Sequence, residues 1–237
     1  MPVWLTLPLG PTNCYLLKLE KGFLLVDCGR ARDKDRLEKA LGRLGLSLSD
    51  LTCLFLTHHH SDHCGLLSVL TAENPALTVI MSEKCAKFLK AGRHFIPAAE
   101  NYASPAMKIL MKTYARLGGG MDSSFTPYTP RPNDLLVKND DRTILPRLGL
   151  EAKIICTPGH TEDSISLVAG DTAFVGDAAR NILYLAGMPH YPIVLYSKEE
   201  CRQSWNKLLS AGVRSILPAH GGPFASARLR PALQAKD

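Results

Sequence analysis

Imidazoles and carboxylates gather in four places along this chain, and each place follows a short apolar run. Residues 51–57 lead into His58-His59-His60-Ser61-Asp62-His63. Residues 154–156 lead into Thr157-Pro158-Gly159-His160, residues 172–176 into Asp177, and residues 215–217 into Pro218-Ala219-His220. In extended backbone alternate side chains share a side. His58 and His60 are therefore neighbours suited to one ion, and His59 points away. Asp62 and His63 come next and reach a second ion. His160 completes the first set and His220 the second. The two oxygens of Asp177 can bridge both sets and offset two cations. Imidazole and carboxylate ligands without thiolate suit zinc, with iron or manganese also accommodated. Three protein ligands per ion plus a shared group leave positions open for water, as catalytic sites require. A water shared between two ions loses its proton near neutral pH and attacks an electrophilic carbonyl or phosphorus.

Those residues must be carried by strands. Residues 3–5, 14–19 and 23–26 read as strands, with a turn at Glu20-Lys21-Gly22. Residues 33–44 read as a helix with Leu37, Ala40, Leu41 and Leu44 on its apolar side, stopped by Gly45. A buried strand at 51–57, a helix from 65 to 70 and a strand at 77–81 imply α/β layering. Strands at 152–156, 164–169, 172–175 and 215–217, a helix at 197–211 and a polar helix or tail from 225 complete the reading. Residues 82–147 read as an insertion covering the active site, with helices at 82–91 and 105–117, a Gly118-Gly119-Gly120 breaker and prolines at 127, 130 and 132. Because the ligands run from His58 to His220 and must meet, one domain over 1–237 is expected.

Composition bounds the rest. An apolar fraction of 46% is ordinary for a globular protein. No stretch approaches the ~18 apolar residues of a membrane span. Met1-Pro2-Val3-Trp4 carries no basic, apolar leader, so a cytoplasmic location is the default expectation. The seven cysteines (Cys14, Cys28, Cys53, Cys64, Cys85, Cys156 and Cys201) are odd in number and form no Cys-x-x-Cys pair, which fits free thiols. Cys64, beside His63, reads as a packing residue. His94 and His190 read as loop or surface residues, with His190 a candidate for the pocket wall. The net charge of +6 concentrates in Lys84, Lys87, Lys90, Arg93, Lys108, Lys112 and Arg116. That segment reads as a solvated face that can steer a small anionic substrate. Few aromatic residues are available for base stacking, which disfavours nucleic acid. A homodimer is compatible with the sequence.

The run Thr57-His58-His59-His60-Ser61-Asp62-His63 resembles the His-x-His-x-Asp-His signature of the metallo-β-lactamase fold superfamily. Residues 157–161, 174–177 and 218–221 are similar to its later motifs. The resemblance implies a four-layer αββα sandwich with metals at one edge, and a proton-relaying catalytic role for Asp62. Val26-Asp27-Cys28-Gly29 resembles an early turn whose Asp supports the site from behind its ligands. Asp177 stands where the β-lactamases of the superfamily carry Cys or Ser, and His60 stands where flavodiiron proteins carry an acid. The set is most similar to glyoxalase II thioesterases, lactonases and phosphodiesterases. Glyoxalase II has a shorter span than the one between His63 and His160. Lactonases place a Tyr just after the bridging Asp; here Arg180 is the third residue on, and Tyr184 and Tyr191 are the nearest candidates for substrate contact. The resemblance implies hydrolysis of a small ester, thioester or lactone by a dinuclear zinc centre. Phosphodiester cleavage and a mono-iron persulfide dioxygenase-like oxygenation are the alternatives.

Overall fold

The computed structural model describes residues 4–94, 101–102, 105–116, 123–182 and 190–234. In chain order the first half runs β1 (Trp4–Leu9), β2 (Thr12–Lys18), β3 (Phe23–Val26), α1 (Lys34–Gly42), β4 (Leu51–Phe55), α2 (Ser61–Cys64), α3 (Leu67–Glu73), β5 (Thr78–Ser82), α4 (Glu83–Ala91), β6 (Asn101–Tyr102), α5 (Pro105–Arg116), β7 (Leu135–Val137) and α6 (Ile144–Arg147). The second half runs β8 (Ala152–Cys156), β9 (Ile165–Ala169), β10 (Thr172–Gly176), β11 (Val194–Leu195), α7 (Lys198–Ser210), β12 (Ser215–Pro218), β13 (Phe224–Ala225) and α8 (Arg230–Gln234).

Two sheets result. The first has the order β1-β2-β3-β4-β5-β7, antiparallel through β3 and parallel beyond it. The second has the order β13-β12-β10-β9-β8. Their central strands are apolar on both faces, because the middle of each sheet is covered on both sides. Leu16, Leu25 and Leu54 face outward with Leu37 of α1, Leu67 and Leu70 of α3 and Leu89 of α4. Their strand neighbours Leu17, Leu24 and Phe55 face inward and meet Ile154, Leu167, Phe174 and Leu217 of the second sheet. On the far side of the second sheet Ile155, Val168, Val175 and Ile216 pack on Trp205 and Leu208 of α7. Three apolar layers between helix, sheet, sheet and helix make the four-layer αββα sandwich that the motifs imply. Phe174 anchors the middle layer, with Trp4 and Tyr15 edge-on at 5.8 and 5.2 Å.

Two elements of the segment 82–147 join the core. α4 packs through Cys85, Ala86 and Leu89 into the outer apolar layer, and β7 adds a parallel strand to the first sheet beside β5. A strand of three residues is too short to show a period, and the prolines before it mask it. The rest of the segment includes α5 and β6, which pairs with β11 in a two-stranded ribbon. The glycine breaker at 118–120 lies outside the described residues.

Four strands end at the same edge. β4 of the first sheet leads to His58, and β8, β10 and β12 of the second lead to His160, Asp177 and His220. This agrees with the rule that α/β sites form beyond the carboxyl ends of strands. The sheets are stitched there by backbone: Ile165 N donates to Thr57 O at 2.9 Å, and Asn13 N donates to Ala219 O at 2.7 Å. No helix among the described residues is long and apolar enough to cross a membrane.

Candidate metal centre

Beyond β4 the chain bends at Thr57 and His59 before His60 precedes α2 with φ −68° and ψ 147°. His58 and His60 lie together, with ring centroids 4.6 Å apart. His59 faces the other side, where it stacks on Phe88 at 4.3 Å and its Nδ1 lies 2.8 Å from buried Asp163 Oδ1. One turn of α2 then presents Asp62 and His63. His160 stands over His58 and His60, its Nε2 3.0 Å from His60 Nδ1.

Two close approaches demand glycine. Gly176 has φ +53°, and a Cβ there would lie 2.3 Å from Thr57 Oγ1. This lets β10 press against the end of β4 and delivers Asp177 beside His63. Gly159, with φ +138°, passes so close to Cys201 of α7 that a Cβ would lie 2.5 Å from its backbone nitrogen.

The ligand-type atoms fall into three overlapping groups, each with its atoms within 4.8 Å of one another: His58, His60 and His160; His58, His63 and Asp177; and Asp62, His63 and His220. Each outer imidazole is oriented from behind. His63 Nδ1 donates to Asp27 Oδ2 at 2.7 Å, His160 Nδ1 to Val194 O at 2.8 Å, and His220 Nδ1 to Pro11 O at 2.9 Å. His58 Nδ1 lies 3.1 Å from Thr57 Oγ1, which itself donates to Asp27. Such partners fix the tautomer and leave Nε2 as a lone-pair donor. Asp27 also accepts from Thr57 N at 2.8 Å, from a backbone with φ +57° that Asp tolerates better than most residues.

His58 Nε2, His63 Nε2, His220 Nε2 and Asp177 Oδ1 are buried and have no hydrogen-bond partner. Orphaned buried polar atoms are costly. Here they converge on one another, so the residues present fit divalent cations, which would satisfy all four together.

The charge state of the first ligand group agrees. Burial and the neighbouring imidazoles hold His58 and His60 well below the ordinary histidine range, and burial pulls His160 down to about 4. Those rings are neutral donors at neutral pH. Burial also opposes charge on His63, but Asp27, Asp62 and Asp177 outweigh it and push the ring up to about 9. Asp62 and Asp177 stay well below the usual carboxylate range despite burial, held there by His63 and His220 around the first and by Arg180 and His220 around the second.

The structure adds residues the sequence reading passed over. His94 is no loose surface histidine: its ring stacks on His60 at 4.4 Å, and its Nε2 accepts from Ser61 N at 2.5 Å. Arg180 Nη2 lies 2.8 Å from Asp177 Oδ2, and Arg30 Nη2 lies 3.4 Å from Asp62 Oδ2. His190 is buried rather than on the surface, stacked on Phe224 at 4.0 Å with its Nδ1 donating to Arg180 O at 2.8 Å. Tyr191 packs with Trp205 in the layer under α7, and its hydroxyl accepts from Arg202 Nε at 3.1 Å, so it stands apart from the histidines. Tyr184 lies outside the described residues. Cys64 is buried with its thiol donating to His59 O at 3.2 Å, and all seven cysteines are free.

Comparison with known proteins agrees with this architecture. The family model of the metallo-beta-lactamase superfamily matches residues 7–220. The chain is 28% identical over 238 residues to the uncharacterized protein YobT of Bacillus subtilis (strain 168), covering 95% of this chain and 91% of that one. It is 24% identical to the probable metallo-hydrolase YqjP of the same organism, covering 92% of this chain and 69% of that one. A solved metallo-beta-lactamase family protein from Thermus thermophilus superposes with a TM-score of 0.66 at 22% identity, covering 96% of this chain and 76% of that one. With its motifs, its four layers and a family match spanning most of its length, the chain belongs to the metallo-beta-lactamase superfamily.

Proposed function

We propose that the protein is a metal-dependent hydrolase acting on a small ester, thioester or lactone, with two zinc ions at the edge of the sandwich. His58, His60 and His160 would hold one ion, and Asp62, His63 and His220 the other, with Asp177 shared. The observation that carries this reading is the convergence of four buried, unpartnered ligand atoms within adjoining groups of histidine and aspartate. The likeness to a probable metallo-hydrolase supports it. Bound divalent ions would supply an acidified water as nucleophile and a Lewis acid to polarise the scissile bond.

The chain's own residues do the rest. Asp27, Val194 O and Pro11 O keep the three outer rings aimed inward. Asp62 is ionised, and Arg30 and His220 lie on its Oδ2. Its Oδ1 is left to take up the proton released when water attacks. His94, stacked on His60, covers one face of that ring.

The test is metal content per chain by plasma mass spectrometry on protein purified without added metal, together with assays on thioester, lactone and bis-p-nitrophenyl phosphate substrates. About two zinc ions per chain and acyl hydrolysis are expected. Failure to hold metal after reconstitution overturns the reading, and one iron per chain with oxygen consumption replaces it with an oxygenase.

A further inference from the structure

We infer that the substrate of this centre is an anion, and that Arg180 and Arg30 are the residues that read its charge. The inference rests on the hydrolytic reading and narrows it to an ester, thioester or lactone bearing a carboxylate or phosphate group near the scissile bond. Arg180 spends one nitrogen, Nη2, on Asp177, while its Nε is buried without a hydrogen-bond partner. A guanidinium carries five N–H donors in a planar fork, so this contact leaves most of them unused. Arg30 likewise places Nη2 on Asp62. His220 Nε2 stands between the two carboxylates, 3.3 Å from Asp62 Oδ2 and 3.4 Å from Asp177 Oδ1. Guanidinium, carboxylate, imidazole, carboxylate and guanidinium thus follow one another across the centre.

Both arginines are set on fixed backbone. Arg180 N donates to His190 O at 2.9 Å, and Arg180 O accepts from His190 Nδ1 at 2.8 Å. The next residue is tied down as well: Asn181 N donates to His220 O and Asn181 Nδ2 to Gly222 O, both at 2.9 Å. Arg30 N donates to Asp33 Oδ2 at 3.0 Å, and the Arg30 Cα packs so tightly on Gly65 that a Cβ there would lie 2.7 Å away. The buried Arg180 Nε–H is held without an acceptor, and the Arg180 and Arg30 side chains keep 12% and 25% of their surface exposed, where an oxyanion can make strong, often bidentate, charge-assisted hydrogen bonds. Prepaid ordering of both arginines raises affinity for such a group. Arginines that merely balanced Asp62 and Asp177 would treat neutral and charged substrates alike, and this difference decides the test.

Metal-loaded wild type, Arg180→Gln, Arg180→Lys and Arg30→Gln are assayed on matched esters that are neutral, carboxylate-bearing or phosphate-bearing, with metal content measured for each. Wild type is expected to favour one charged ester, and the favoured one separates carboxylate from phosphate. In protein brought to full metal content, Arg180→Gln is expected to raise KM for the charged ester by about tenfold or more relative to its KM for the neutral ester. Arg180→Lys should recover only part, because an ammonium lacks the fork. Calorimetry with malonate and inorganic phosphate reads the same site without turnover and should show about tenfold weaker binding in Arg180→Gln. Equal kcat/KM for neutral and charged esters in wild type, anion binding unchanged by Arg180→Gln, or anion binding lost only in step with metal overturns the inference. Arginine-dependent anion binding in a fully loaded protein that turns over none of the esters upholds the anion site and defeats the hydrolytic reading instead.

Discussion

The carboxylate of Asp163 holds His59 at two points: Oδ2 accepts from the backbone nitrogen at 3.0 Å, and Oδ1 from Nδ1 at 2.8 Å. Both side chains are almost fully buried. His59 sits between His58 and His60, and Asp163 lies three residues after His160, so this two-point contact locks together the two loops that supply the first ligand group.

Breaking that lock should be expensive. Asp163→Ala leaves a buried imidazole and a backbone N–H without their acceptor, and the expected loss is about 2–5 kcal/mol, read from urea unfolding. The pH dependence follows from the folded carboxyl lying below its ordinary 3.8: burial would raise it, but His59 and hydrogen bonds from Thr161 and Cys85 outweigh burial. A depressed folded value means the stabilisation is present above the unfolded value and lost as pH falls through the folded one. Wild type should therefore shed stability below about pH 4, and Asp163→Asn should show a shallower acid limb. An unchanged limb would remove the Asp163 carboxylate from the account.

Asp27 should govern metal affinity without touching metal. Loss of a carboxylate behind a ligating histidine typically costs 10–100-fold in affinity. Asp27→Asn and Asp27→Ala are both expected to weaken zinc binding by about that factor in chelator competition. Asp27→Ala should also unfold more easily, since the φ of +57° suits Asn and penalises Ala. Zinc affinity equal to wild type in both variants would refute the orienting role.

Gly176→Ala is expected to be among the more damaging single-methyl insertions in the chain. Its Cβ would meet Thr57 Oγ1 at 2.3 Å from a left-handed backbone. A loss of about 2–4 kcal/mol combines overpacking with backbone strain. For a chain of this size that lowers Tm by roughly 4–16 °C in calorimetry. A shift within error would mean that β10 and β4 are not pressed together as described.

Chelation should destabilise the fold reversibly. Ligands bound only by the native state stabilise it by mass action, by about 2.7 kcal/mol at a hundredfold excess over Kd. Tm is expected to fall on treatment with a chelator and to recover on adding zinc, with little recovery in His58→Ala. An identical Tm with and without chelator would argue against a tightly held ion.

Much of this is legible in the residues because strands carry it. The apolar runs before His58, His160, Asp177 and His220 are strands whose ends meet at one edge, and period-two alternation separates His59 from its neighbours. Contacts made across the fold are not legible. Asp163 reads locally as the approach to β9; its only signal is an acidic residue beside a fully buried strand, which requires a partner. His94 follows α4, where Gly92 takes φ +64°, and only the tertiary fold brings it back onto His60. Arg180 is visible in sequence merely as the residue in place of a tyrosine. β7 is too short to betray itself, so a core strand reads as part of an insertion.

The bond from His220 Nδ1 to Pro11 O spans 209 positions. Asn13 reinforces it, reaching Ala219 and Gly221. The chain's first hairpin and its last ligand-bearing strand therefore finish the centre together. A nascent chain still lacking residue 220 has neither His220 nor a partner for the Pro11 carbonyl, and its second ligand group stays incomplete. Completion of that second group thus waits on residue 220, and the carbonyl that receives it is already in place near the start of the chain.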